Sequence, residues 1–129
     1  MPEYLLDTTA IIEYLRDKSG MPELLTELCN RGGLLSCCPL NIAEVYQGMK
    51  DNEKAATDEF LNTLKCYEIT ADIGYLAGEI KRNYLKKGIT FSIADVLIAA
   101  TAIKNHLILL TNNMKHFPSK ETNIYAYER

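Results

Sequence analysis

The stretch Tyr4-Leu5-Leu6-Asp7-Thr8-Thr9 decides how this chain is read. Three consecutive apolar residues make a short strand with no polar face, as in a parallel sheet covered by helices on both sides. Asp7 follows at once. Thr8 and Thr9 are both residues that cap a helix, here one running from Ala10 to Arg16. The alternation continues outward from there. Met21 to Asn30 reads as a helix closed by Arg31-Gly32-Gly33, and Leu34 to Cys38 as a strand stopped by Pro39. Asn41 to Lys50 and Thr57 to Leu64 read as helices, and Cys66 to Ile69 as a strand. Two helices follow, Ile73 to Lys87 (closed by Gly88) and Ser92 to Asn105, then strands at Leu107 to Leu110 and Ile124 to Tyr127. This order predicts an α/β sandwich: a short, mostly parallel sheet of about five strands with helices on both faces. Ligands of such sheets bind beyond the carboxyl ends of the strands, near a switch in strand order. That rule singles out Asp7, and Thr111-Asn112-Asn113 after the fourth strand.

The 129 residues contain no repeat, low-complexity tract or linker, so one domain over 1–129 is expected. With 47% hydrophobic and 24% charged residues, disorder is excluded. No apolar run approaches the ~20 residues that span a bilayer. The opening Met1–Asp7 lacks a basic region and meets an acid early, so a cytoplasmic protein without a signal peptide is expected. Cys29, Cys37, Cys38 and Cys66 contain no C-x-x-C pair, and read as reduced packing thiols. The net charge of −3 excludes a nonspecific coat for nucleic acid. Charge is nevertheless uneven. Residues 1–64 hold 5 Lys and Arg against 11 Asp and Glu, whereas residues 65–129 hold 9 against 6. Lys81, Arg82, Lys86 and Lys87 fall in one stretch, either a solvated helix face or a grip on a polyanion.

Three acids sit in apolar company. Asp7 ends a strand, where capping the next helix is its plainest role. Glu44 lies three residues after Asn41, and Asp95 three after Ser92, so each can complete a capping box. Around Asp95, however, Ile93, Val96, Leu97, Ile98, Ala99, Ala100, Ala102 and Ile103 make a helix apolar nearly all round. Such a helix is buried, and a carboxylate on it needs a counter-charge. A helix N-terminus offers only about half a positive charge. Three such acids at separate elements suit a hard divalent ion, Mg²⁺ or Mn²⁺. A phosphate-receiving signalling domain fails because Pro39-Leu40-Asn41 offers no acceptor Asp. An aspartate-nucleophile phosphatase fails because position 9 is Thr9.

The segments Tyr4–Thr9, Asn41-Ile42-Ala43-Glu44-Val45 and Ser92–Ala102 resemble PIN domains, most of all the VapC-type toxins of toxin–antitoxin pairs. Leu109–Phe117 resembles the fourth motif of that family, and the likeness covers essentially the whole chain in order. The resemblance implies a Mg²⁺-dependent endoribonuclease with an α/β/α fold, Mn²⁺ substituting for Mg²⁺. It maps Asp7, Glu44 and Asp95 onto the acidic metal site, with catalytic duty shared by Asn113. The family often has another Asp there, and Asn113 brings no charge, so one tightly held ion is expected. Thr9 and Thr111 are expected to donate to the metal ligands or to phosphate. Lys81, Arg82, Lys86 and Lys87 are expected to grip RNA, and Tyr84 to pack on the sheet or stack a base. His116 stands three residues beyond Asn113 as a weaker candidate base. The expected partners are the RNA substrate, a small antitoxin and a second copy of the chain. Apolar residues in excess of one sheet face, Ile11, Ile12, Tyr14, Leu15, Leu24, Leu25 and Leu28, would supply those protein interfaces. The alternative is a catalytically silent module of the same fold that acts by binding.

Overall fold

In the computed structural model, which describes residues 1–128, the chain runs through eleven main elements. These are β1 (Glu3–Leu6), α1 (Thr8–Leu15), α2 (Met21–Asn30), β2 (Leu34–Cys37), α3 (Pro39–Gly48), α4 (Lys54–Thr63), β3 (Lys65–Cys66), α5 (Ala71–Leu85), α6 (Ile93–Lys104), β4 (Ile108–Thr111) and β5 (Ile124–Ala126). Short 3₁₀ turns lie at Asp51–Glu53 and Met114–His116. All strand pairings are parallel, in the order β3-β2-β1-β4-β5. The α/β class, the five strands and the two helical layers stand as the sequence predicts.

Side-chain alternation along β1 explains the two layers. Tyr4 and Leu6 face a cluster built from Ile11, Leu25, Leu28 and Phe60 of α1, α2 and α4, while Leu5 faces Ile98, Ala99 and Ala102 of α6. Both leucines are fully buried, each stabilising the fold by roughly 1.5–3 kcal/mol. Outside α6 lies α5, joined to it through Ile73, Ala77, Ile80, Phe91, Val96 and Ala100. Gly33 permits the tight entry to β2. A Cβ there would lie 2.8 Å from the Leu28 carbonyl oxygen and 2.9 Å from the Tyr4 ring. Strand order reverses between β1 and β4, so the carboxyl ends of those two strands flank the switch point.

Several local expectations are corrected. Asp7 itself caps α1, its carboxylate accepting the Thr8 N–H, and Thr8 and Thr9 lie inside the first turn. Pro39 does not merely stop β2; it occupies the first turn of α3, where its missing N–H costs nothing. The cap of α3 is therefore Cys38, and the Asn41–Glu44 capping box does not form. β3 is only two residues long. Of the apolar residues of α1 and α2 expected at interfaces, Ile11 and Leu28 belong to the core shared with α3 and α4, whereas Tyr14, Leu15 and Leu25 also line a surface groove. Among the described residues all four cysteines are free, Cys37 and Cys38 buried and Cys29 and Cys66 exposed. Burial, reinforced by the neighbouring Cys66, pushes the Cys37 thiol up to about 12, which keeps it inert at neutral pH. No described helix is long and apolar enough to cross a membrane.

Candidate metal centre

A cleft of about 420 Å³ opens at the switch point, lined by Asp7, Thr8, Thr9, Glu44, Gln47, Gly48, Asp95, Asn113 and His116. Four separate elements therefore deliver their polar residues to one place. Asp7 arrives at the end of β1, Glu44 from the middle of α3, Asp95 from the first turn of α6, and Asn113 from the turn after β4.

Asp7 is the most constrained of these. It is 7% exposed, and its Oδ1 accepts the Thr8 N–H at 2.8 Å while Oδ2 accepts the Thr111 hydroxyl at 2.8 Å. Burial raises its pKa above 3.8; the two hydrogen bonds oppose that, and the nearby charges of Asp95 and Glu44 add to it. Capping and site membership are thus not alternatives for Asp7. One oxygen caps the helix, and the same carboxylate faces two others. Glu44 is half-buried and its Oε1 accepts the Thr8 hydroxyl at 2.6 Å. Asp95 is half-buried rather than enclosed, because Ser92 and Ile93 before it are exposed. The Ser92 hydroxyl accepts the Asp95 N–H at 3.0 Å, which fixes the backbone and leaves the Asp95 side chain toward the cleft.

The remaining sequence candidates divide. Thr9, Asn113 and His116 line the cleft. Thr111 is fully buried, with its hydroxyl committed to Asp7, so it positions a ligand instead of meeting phosphate. Lys81, Arg82, Lys86 and Lys87 do not line the cleft; they lie at the end of α5 and in the connection leading to α6. Lys81 Nζ donates to the Phe91 carbonyl oxygen, which tethers that connection, and Lys87 stacks over the Tyr84 ring at 5.3 Å. Tyr84 packs edge-on against Phe91 with ring centres 4.9 Å apart and donates to Glu121 Oε1 at 2.6 Å. That hydrogen bond pushes the Tyr84 phenol up to about 12. Tyr84 therefore packs in the layer of α5 and α6 and not on the sheet as expected. Three lining residues, Thr8, Gln47 and Gly48, were not singled out as site members from the sequence, nor was Asn41, read as a cap, which stands behind Thr8.

The donor set fits a hard divalent ion. Three carboxylates face one cleft that no Lys or Arg lines, and the Asp7 carboxyl is raised by burial first, with the charges of Asp95 and Glu44 adding to it. Among the described residues no group of three or more His, Cys, Asp or Glu side chains stands close enough to hold a metal ion together. Such an open arrangement suits Mg²⁺ or Mn²⁺, which keep waters and share their coordination with a substrate phosphate.

Comparison with known proteins agrees with this architecture. The PIN domain family model matches residues 4–120, and the chain belongs to that family. Within it, the chain is similar to proteins named ribonuclease VapC. It is 35% identical to ribonuclease VapC19 of Mycobacterium tuberculosis over 114 residues, 88% of this chain and 91% of that protein. It is 28% identical to ribonuclease VapC2 of Haemophilus influenzae over 122 residues, 91% of each. Among solved structures, VapBC2 from Rickettsia felis bound to a promoter DNA fragment shares the fold. Its TM-score is 0.84 at 21% identity, over 98% of this chain and 99% of that one. A toxin–antitoxin complex from Klebsiella pneumoniae gives 0.81 at 23% identity, over 98% and 99%.

Proposed function

We propose that this chain is a Mg²⁺-dependent endoribonuclease, the toxin of a type II toxin–antitoxin pair acting in the cytoplasm. The observation that carries this reading is the convergence of Asp7, Glu44 and Asp95 on one cleft at the switch point, with Asp7 raised by its burial first and by its two acidic neighbours as well. The names of the relatives support it.

Asp7 and Asp95, with Glu44 beside them, would hold the ion. Bound there, a divalent cation supplies positive charge to the scissile phosphate and lowers the pKa of a water. The chain's own residues supply position. Thr111 and the Thr8 N–H hold both oxygens of Asp7 still, and Ser92 fixes the turn that carries Asp95. Thr9 and Asn113 line the cleft with a hydroxyl and an amide, suited to phosphate oxygens or an attacking water. His116 on the rim can accept a proton from solvent-borne groups. Purified protein should cut single-stranded RNA with Mg²⁺ and leave it intact in chelator. Cutting that persists in chelator would contradict the reading.

RNA grip is assigned to Arg82 in the last turn of α5 and to Lys86 and Lys87 just beyond it, all exposed, with Lys81 bracing the connection that leads to the helix bearing Asp95. Charge reversal at Arg82, Lys86 and Lys87 should weaken RNA binding and lower the slope of log affinity against log salt by about 2, near 0.7 per lost phosphate contact. Mn²⁺ affinity should stay as in wild type. An unchanged salt slope would reduce the stretch to a solvated face.

The antitoxin partner is supported by a groove of about 870 Å³ between α2 and α4. Its floor includes Tyr14, Leu15 and Phe60, with Tyr14 and Phe60 stacked at 4.0 Å. Asp17, Glu23 and Glu59 line it and no Lys or Arg does, so it fits an apolar segment carrying basic residues. A second copy of the chain is assigned to exposed apolar side chains on α5 and the start of α6, including Tyr75 and Ile93. Light scattering at micromolar concentration should give a dimer mass, and a monomer would remove that assignment.

A further inference from the structure

We propose that Asn41 and Thr8 form a one-way hydrogen-bond relay that sets the direction of Glu44; the inference rests on the reading of the cleft as a metal-dependent nuclease site. Donor and acceptor accounting gives the relay its sense. Asn41 is fully buried, and its Oδ1 lies 2.9 Å from the Cys38 backbone nitrogen. A backbone N–H only donates, so the facing atom must be the amide oxygen, and the amide cannot be flipped. Its Nδ2 then faces Thr8 Oγ1 at 3.1 Å. An amide NH₂ also only donates, so the Thr8 oxygen accepts there. The single Thr8 hydroxyl hydrogen is left for Glu44 Oε1, 2.6 Å away. Thr8 therefore serves two carboxylates, Glu44 through its hydroxyl and Asp7 through its backbone N–H.

A parallel chain acts on Asp7. The Asn113 N–H donates to Thr111 Oγ1 at 2.9 Å, which commits the Thr111 hydroxyl hydrogen to Asp7 Oδ2. Both relays begin at a donor-only group and end on a carboxylate of the cleft. Asn41 holds the Thr8 hydroxyl in the rotamer that donates to Glu44, a hydrogen bond of the charge-assisted kind. Asn41 and Thr8 are positioning residues: neither is asked to touch substrate. The position of Asn41 follows from Pro39 at the start of α3, because moving the cap back to Cys38 places Asn41 inward, three residues before Glu44.

Two measurements test this. In metal-free wild-type protein, NMR should detect a slowly exchanging Thr8 hydroxyl proton close to the Asn41 side-chain amide. In the second, the affinity for Mn²⁺ alone is read by electron paramagnetic resonance without RNA. Thr8→Val, which keeps the shape and removes the hydroxyl, should weaken Mn²⁺ binding by about tenfold or more, the range for partners that orient metal ligands. Thr8→Ser should restore most of it. A folded Thr8→Val protein that binds Mn²⁺ as tightly as wild type would overturn the relay. So would an Asn41 amide found remote from Thr8, and that readout needs no variant to fold. Wild-type protein with the hydroxyl proton in place and Mn²⁺ bound, but no RNA cut, would support the relay and overturn the nuclease reading instead.

Discussion

Asp7→Asn should lower Mg²⁺-dependent RNA cleavage by more than about 100-fold while the protein remains folded. Groups that merely orient metal ligands cost 10–100-fold when removed, so loss of a ligand must exceed that range. The structure also states the cost to stability. Asp7 accepts two hydrogen bonds, from the Thr8 N–H and the Thr111 hydroxyl, one on each oxygen. Asparagine can keep the Thr8 N–H on its Oδ1 and donate from its Nδ2 to Thr111 once that hydroxyl turns, so the change trades charge-assisted hydrogen bonds for neutral ones, at about 1 kcal/mol. Relief of repulsion from Asp95 and Glu44 offsets part of this. End-mapping of a structured RNA before and after substitution, with melting temperature as control, checks both halves. Cleavage at wild-type rate in the folded variant would contradict the assignment of Asp7.

Mn²⁺ at about 100 times its dissociation constant should stabilise wild-type protein by roughly 2.7 kcal/mol, near 10 °C in melting temperature for a chain of this size. Asp95→Asn should lose most of that gain. Its metal-free stability should change by less than about 1 kcal/mol. The substitution gives up a favourable charge in the first turn of α6, worth about 0.3–1 kcal/mol, and removes one of the charges that crowd Asp7. A purely capping Asp95 would give equal Mn²⁺ shifts in both proteins.

The pH response of the metal-free protein follows from Asp7. Its folded pKa lies above the ordinary 3.8, raised by burial first and by its acidic neighbours as well. The folded state thus holds that proton more tightly than the unfolded chain. The Asp7 contribution favours folding at low pH and is lost as pH rises from 3.8 through the raised value. NMR titration of the Asp7 carboxyl should give a midpoint above 3.8 without metal and a lower one with Mg²⁺. A midpoint at or below 3.8 without metal would contradict the crowding of charges.

The fold was legible because continuous apolar runs and helix stop signals are local. The run Leu5-Leu6 and the Gly88 closure each name their element without reference to anything distant. Locations of Asp7, Glu44 and Asp95 near one end of the sheet followed from strand-end logic and from the resemblance. What the sequence concealed was the partner of each polar group. Asn41 and Glu44 have capping-box spacing, and only Pro39 at the start of α3 moves the cap and turns Asn41 inward. Thr111 looked like a phosphate donor because its contact with Asp7 spans 104 positions. The apolar excess of α1 and α2 pointed outward on a two-layer count; α3 and α4 cover part of it, and Tyr14, Leu15 and Leu25 still line a surface groove. Tyr84 was split between packing and stacking until Glu121 supplied its partner.

The central claim is that Asp7, Glu44 and Asp95 share one cation, and X-ray diffraction from Mn²⁺-soaked crystals at the manganese absorption edge tests it most directly. The expected result is a single anomalous peak in the cleft, bounded by Asp7 and Asp95 and absent in crystals of Asp95→Asn. Saturating Mn²⁺ with no peak there, or with one only at His116, would contradict it.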